Sequence, residues 1–413
     1  MRENPKTKTE NGLEADPSLA RLFREFALIA SCVIGGGYAI LMVADDVFGR
    51  KLKWLRPGEL LERLPLFQMV PGLIAGNTAM YVGFKTAGRV GAAVGLFAVA
   101  LPSFVVFLGI SSGCSWLPVE EPHVAGALLG LRAAMTGILA GTLLRGWRRS
   151  VSGWFGYAVA LASAAVLVFG AVNPALVLVC AMCVGVVARF CAKGRADAVE
   201  ASGIREPETS PRRRVASRVL FAAFFVAAAG LFFTAYGVFV KFGLLCFGGG
   251  FPLVPLYAHA FVGESAPLLR LPLEAFSNFI ALTQATPGPV SVNAATFFGY
   301  RMGGVCGAAL ATVGLLAPSY LLMTSALAGL EKWSRSRFVQ GVLYGVRPAT
   351  SALLVSAGVT FASMSVWNAA DGWRFSFFAC MVALGVSGCV LRGRTPVVGL
   401  VLAGAILGAV FSP

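Results

Sequence analysis

The chain has 413 residues, 57% hydrophobic and only 13% charged, with a formal net charge of +15. That is too little charge to cover a soluble globule of this length, so the composition specifies a membrane protein. The basic residues lie in short loops between apolar runs, the positive-inside pattern; the expected partner is the lipid bilayer, with no nucleic acid.

Two histidines and nine scattered cysteines offer no metal centre, and Cys180 with Cys183 is a lone pair that packing explains. There is no Walker-type glycine loop and no nucleophile–base constellation, so no ATP hydrolysis, no enzyme activity and no cofactor are expected.

Residues 1–18 form a polar tail, without the pattern of a secretory signal. Apolar segments follow near 22–44, 64–84, 88–112, 124–145, 153–170 and 174–190. The stretch 191–217 holds Lys193, Arg195, Arg205 and Arg212–Arg214 and reads as a basic cytoplasmic linker. Beyond it, apolar stretches lie near 219–257, 276–300, 303–328, 338–363, 375–391 and 396–411. The first of these is too long for one span and is expected to hold two helices, the first over 219–234. The predicted fold is an all-α polytopic membrane protein of about 12–13 transmembrane helices, some broken or re-entrant. Its domains are expected at 19–190 and 218–413.

The two halves repeat. Gly35-Gly36-Gly37-Tyr38 matches Gly248-Gly249-Gly250-Phe251 at an offset of 213. Gln68, Pro71, Gly72 and Asn77 match Gln284, Pro287, Gly288 and Asn293 at 216, as Pro102-Ser103 matches Pro318-Ser319. Gly130-Leu-Arg132 matches Gly345-Val-Arg347 at 215. A near-constant offset over four landmarks identifies a duplication. Equivalent loops carry opposite charge bias: Glu120 and Glu121 face Lys332, Arg335 and Arg337, while Arg145, Arg148 and Arg149 face Asp371 and Arg374. The halves are therefore expected to be inverted. Loop 45–63 runs against this, with five basic residues on the side assigned to the outside.

The chemistry is expected where the backbone breaks. Pro287 ends one helix and Pro289 opens the next at its first position, leaving a fresh N-terminus with unpaired N–H groups, a site for an anion. Ser291 and Asn293 add side-chain donors there, and Asn77 does the same in the first half. The glycine triplets supply either a backbone nest or close helix crossing. Arg132 and Arg347 lie inside apolar runs, where a cation is costly, and their symmetric placement suggests an anion pathway. Lys241 is similar but has only Leu28 as its repeat partner. Lys85 and Arg301 read as interfacial, Glu59 and Glu274 as solvated faces. Gly91/Gly95, Gly126/Gly130, Gly137/Gly141, Gly303/Gly307 and Gly341/Gly345 are helix-packing pairs.

These residues resemble the chromate ion transporter family in its two-domain form. The carriers are Lys241-Phe-Gly243-Leu-Leu-Cys-Phe247-Gly248-Gly249-Gly250, Thr286-Pro287-Gly288-Pro289 with Asn293-Ala-Ala-Thr296-Phe297-Phe-Gly299-Tyr300, and Arg347-Pro348-Ala349. The resemblance covers about residues 20–411. It implies a multi-pass protein of the bacterial inner membrane that exports chromate in exchange for protons, with sulfate competing. The first half departs from the family pattern, with Gly36-Gly37-Tyr38 and Pro71-Gly72-Leu73 where Gly-Gly-Pro and Pro-Gly-Pro are usual. The substrate-binding set expected is therefore Gly35, Gly36, Gly37, Gln68, Pro71, Gly72, Asn77 and Arg132 in the first half. In the second it is Lys241, Gly248, Gly249, Gly250, Gln284, Pro287, Gly288, Ser291, Asn293 and Arg347. A secondary transporter of a divalent oxyanion is expected, chromate or sulfate, with a passive channel as the rival. A homodimer is compatible with this reading.

Overall fold

The computed structural model describes residues 18–32, 37–113, 121–169, 172–191, 211–247, 250–264, 266–329, 336–367, 375–392 and 397–411. Over these residues the protein is helical, with a single isolated bridge between Val262 and Leu271. The first half comprises α1 (Leu19–Cys32), α2 (Gly37–Ala44) running into a π-helical turn (Asp45–Lys51), α3 (Glu59–Glu62) and α4 (Leu64–Met69), then α5 (Ile74–Gly113), α6 (Pro122–Ser150), α7 (Gly153–Phe169) and α8 (Pro174–Cys191). Helix α9 (Pro211–Phe232) leads to α10 (Gly237–Leu245), a 3-10 turn (Phe251–Leu253), α11 (Val254–Phe261) and α12 (Leu273–Ala285). The chain ends with α13 (Val290–Ala328), α14 (Arg337–Ser365), α15 (Phe377–Arg392) and α16 (Val397–Phe411). The two helices expected within 219–257 are α9 and α10; α9 starts earlier, at Pro211, inside the stretch read as linker.

Among the described residues, six helices are long and apolar enough to cross a membrane, and three shorter apolar helices accompany them. Their outer faces are bare hydrocarbon: Trp154, Phe169 and Phe233 are 82%, 87% and 88% exposed. Such a surface is stable only against lipid.

Two of the six long helices, α5 and α13, are folded back on themselves. In α5 the helix breaks at Ala87 and Gly88, the latter at φ 64°; in α13 it breaks at Gly303 and Gly304, the latter at φ 59°. Both breaks obey the repeat offset of 216. Across each break the arms run antiparallel, because Gly83 lies on Gly91 and Gly95 on Ala79, as Gly299 lies on Gly307. Thr296 and Thr312 share a hydroxyl–hydroxyl hydrogen bond of 3.0 Å across the second hairpin. A Cβ on Gly83 or Gly91 would strike the opposite backbone, so glycine there permits the contact. The short arms, 74–86 and 290–302, are about 20 Å long at 1.5 Å per residue, less than the hydrocarbon thickness of about 30 Å. They are half-helices, and the two hairpins pack on one another at the centre of the molecule.

The outer helices exchange between halves. Helix α6 packs on α15 and α16 of the second half, and α14 packs on α7 and α8 of the first. Gly130 rests on Gly404 and Gly345 on Ala181 and Gly185, giving close backbone crossings on both sides. The glycine pairs Gly126/Gly130, Gly137/Gly141 and Gly341/Gly345 serve these contacts. Loop 45–63 absorbs much of its own charge: Asp46 faces Arg50 and Lys51, and Arg56 faces Glu59 and Glu62. Asp45 is buried, accepting the backbone N–H groups of Gly58 and Leu60 at 2.9 and 3.0 Å.

Candidate functional site

Each signature is a gap between two helices. In the first half α4 stops at Met69, Val70 turns extended, and Gly72 at φ 139° leads into the short arm of α5. In the second, α12 stops at Ala285, Thr286 turns extended, Gly288 sits at φ 97°, and α13 starts at Val290. Pro289 precedes the helix instead of occupying its first position. Its extended backbone (ψ 125°) places its carbonyl to accept from Val292 and Asn293 at 3.0 and 3.1 Å.

The two asparagines close the gaps. Asn77 Nδ2 donates to the carbonyls of Phe67 and Val70 at 2.9 and 3.1 Å. Asn293 Nδ2 donates to the Thr283 carbonyl and to Thr286 Oγ1, both at 3.3 Å. Each amide thus holds the half-helix to the end of the helix before it, satisfying orphaned groups at the break. The NH2 groups expected to face an anion are spent on the fold, which corrects the donor role assigned to Asn77 and Asn293. What remains without a partner among the described residues is Oδ1 of each, and both residues are fully buried.

The gaps cross. A Cβ on Gly288 would fall on Ser103 Oγ, and a Cβ on Gly72 would stand 2.9 Å from Ser319 Oγ and 2.9 Å from Asn77 Oδ1. Ser103 and Ser319 are equivalent residues of the two repeats, so each break meets the Pro-Ser element of the other half. Gly72 N–H donates to the Cys246 carbonyl at 2.7 Å, another contact between halves. Ser103 Oγ is buried without a partner among the described residues. The described glycines of the triplets belong to the same place. Gly37 lies on Ile74 and Ala75, and Gly250 lies on Val290 and Ser291, the first turns of the two half-helices. Ser291 Oγ is buried there with the Cys246 thiol beside it, and Tyr257 OH donates to the Ser291 carbonyl at 3.2 Å. Gly35, Gly36, Gly248 and Gly249 lie outside the described residues, as does the side chain of Gln284. Pro71 and Pro287 flank the gaps half-buried, and Gln68 is half-buried in α4.

The cations sit elsewhere. Arg132 is buried in α6, with Nη2 donating to Glu274 Oε1 at 2.8 Å. Glu274 is at the start of α12, about 17 Å along the helix from the Pro287 break. Arg132 therefore ties the first half to the far end of α12 and does not join the break. Lys241 is exposed on α10, its ammonium 5.5 Å from the centre of the Phe232 ring. Arg347 is exposed on α14 and has no ion-pair partner among the described residues. Arg301 is exposed, in keeping with an interfacial reading. Glu59, expected on a solvated face, is instead buried, accepting from Tyr81 OH and Lys85 Nζ, each at 2.6 Å. Burial pushes its carboxyl pKa up, but Lys85 and Tyr81 outweigh this and hold it below the usual carboxylate range.

Ser103 and Ser319 are the site residues that sequence reasoning missed, having served there only to set the repeat register. Their signal was a Pro-Ser dipeptide at equivalent points of two apolar segments, where a hydroxyl has no packing purpose.

Paired half-helices with crossing breaks, inside a lipid-facing helical shell, define a polytopic membrane protein made of two homologous domains. The chain belongs to the Chromate transporter family, whose model matches residues 20–186 and again 233–409. Helix α9 falls wholly between the two matched regions. An uncharacterized transporter of Methanocaldococcus jannaschii is 25% identical over 362 residues, covering 86% of this chain and 87% of its own. A probable chromate transport protein of Synechococcus elongatus is 23% identical over 401 residues, 95% of this chain and 96% of its own. The chromate transport protein of Cupriavidus metallidurans is 25% identical over 381 residues, 88% of each. No solved structure matches the chain.

Proposed function

We propose that the protein is a secondary transporter of a tetrahedral oxyanion, chromate in the first place, held where the two breaks cross. The observation that carries this is the reciprocal contact of Gly288 with Ser103 and Gly72 with Ser319. It brings two helix N-termini, each with unpaired N–H groups and the positive end of a dipole, to one buried polar junction between the halves. Chromate is favoured over other oxyanions because relatives covering nearly the whole chain carry that name. Export from the bacterial cytoplasm across the inner membrane, driven by protons, completes the reading.

Alternating access follows from the repeat. Arg132 and Glu274 have equivalents at Arg347 and Glu59, both at an offset of 215. The first pair is closed at 2.8 Å, whereas Glu59 is engaged by Lys85 and Arg347 stands exposed. With inverted halves, the opposite-facing state would exchange these roles: Arg132 would release Glu274 and Arg347 would take Glu59.

The experiment is uptake of labelled chromate into inverted membrane vesicles under an imposed pH gradient, with sulfate as competitor. Concentrative uptake that collapses with the gradient supports the reading. Flux that only equilibrates would make the protein a passive channel, and uptake of sulfate in preference would reassign the substrate.

A further inference from the structure

We propose that the junction binds the monoprotonated form of the oxyanion, not the dianion. This rests on the junction being the oxyanion site. The groups that meet there are neutral. Donors come from two half-helix N-termini and from the hydroxyls of Ser103 and Ser291, all buried. Beside them stands an acceptor, Asn77 Oδ1, fully buried and without a partner among the described residues; its repeat equivalent, Asn293 Oδ1, is likewise buried and unpartnered among them. Their orientation is fixed, since each NH2 is committed to the preceding helix end. Among the described residues, no cationic side chain contacts these orphaned atoms.

Two physical consequences follow. A lone acceptor in a dry site calls for a donor from the ligand, and a fully ionised tetrahedral oxyanion has none, whereas its monoanion carries one O–H. The Born cost of desolvation grows as the square of the charge, so a dianion costs about four times as much as a monoanion to bring in, and no cation offsets it. Gly72 marks where that acceptor is reached, because only the bare glycine backbone separates Asn77 Oδ1 from Ser319 Oγ of the other half: a Cβ there would stand 2.9 Å from each.

This separates two anions of the same shape. Chromate takes up a proton just below neutral pH, whereas sulfate does so only in strong acid, so at physiological pH only chromate presents the favoured form. The protein groups nearest the junction that titrate are the Cys246 thiol and the phenol of Tyr257; the Tyr320 hydroxyl donates to the Arg89 carbonyl by the α5 turn, away from it. Thiols and phenols ordinarily change charge above about pH 8. The other charged or titratable residues on the packed elements lie elsewhere: Arg21, Arg24 and Glu25 on α1, Arg63 before α4, Lys85 and Arg89 by the α5 turn, Arg218 on α9, Lys241 on α10, His259 on the exposed side of α11, Glu274 at the start of α12, and Arg301 by the α13 turn.

The test is chromate uptake by purified protein in proteoliposomes, with equal pH on both sides, from about pH 6 to about pH 8. The KM in total chromate is expected to rise about tenfold per pH unit above neutrality and to stay constant when expressed as monoanion. Sulfate in large excess is expected not to compete. Selenite, whose monoanion persists to higher pH, is expected to inhibit with a profile shifted by the difference between the two acids. A KM in total chromate that is flat with pH, or sulfate competing as well as chromate, overturns the proposal. So does a profile at the same pH for chromate and selenite, since it would belong to a protein group. Absence of chromate uptake at every pH would instead overturn the oxyanion reading itself.

Discussion

Asn77 and Asn293 divide their work between the two ends of one amide: the NH2 builds the break and the oxygen is left buried without a partner among the described residues, that of Asn77 beside Gly72. Replacing either by alanine strips partners from buried groups, at a cost of about 1–3 kcal/mol. The bonds of Asn77, at 2.9 and 3.1 Å, are shorter than the 3.3 Å bonds of Asn293, so Asn77→Ala is expected to lower the unfolding temperature in detergent more. Equal unfolding temperatures for wild type and Asn77→Ala would contradict the tie. Ser103 makes no such bond. Ser103→Ala is expected to leave the unfolding temperature unchanged while raising the KM for chromate about fivefold, the worth of one hydrogen bond near 1 kcal/mol. Glu59 makes an acid-side prediction. Its folded pKa lies below the ordinary carboxylate value, so its stabilisation is present above that value and is lost as pH falls through the lower folded one. Glu59→Gln is expected to lower the unfolding temperature at neutral pH, and to reduce its further loss on acidification below about pH 4.5.

At the scale of elements, the breaks, the duplication and the packing glycines were legible because proline, consecutive glycines and a constant offset leave marks in one dimension. The sequence also placed the helix boundaries near 84–88 and 300–303, where the hairpins turn. It could not show that the arms fold back, since a reversal at Ala87-Gly88 has the same apolar signature as a kinked span. Nor could it show the crossing of Gly288 with Ser103, which depends on how the halves dock. Arg132 was ambiguous for a related reason: a buried cation is equally costly beside an anion or beside Glu274, and only the fold pairs it with Glu274. Pairing Arg132 with Glu274 gives a charge test. Arg132→Glu is expected to abolish uptake, and adding Glu274→Arg to restore part of it. Failure of the double variant to recover, although it inserts and folds, would mean that the pair is not an element of the cycle.

Taken whole, the molecule is two intertwined repeats. The hairpins meet at the centre, while α6 and α14 each pack on the outer helices of the opposite half. Such an exchange leaves neither half a complete site: the break of one needs the Pro-Ser element of the other. The central claim is therefore one oxyanion per chain, shared by both repeats. Equilibrium binding of labelled chromate to the purified protein measures this directly. The account predicts one chromate per chain, with affinity lowered by Ser103→Ala, lowered similarly by Ser319→Ala, and lost in the double variant. Two chromates per chain, or binding by the double variant at wild-type affinity, would contradict it.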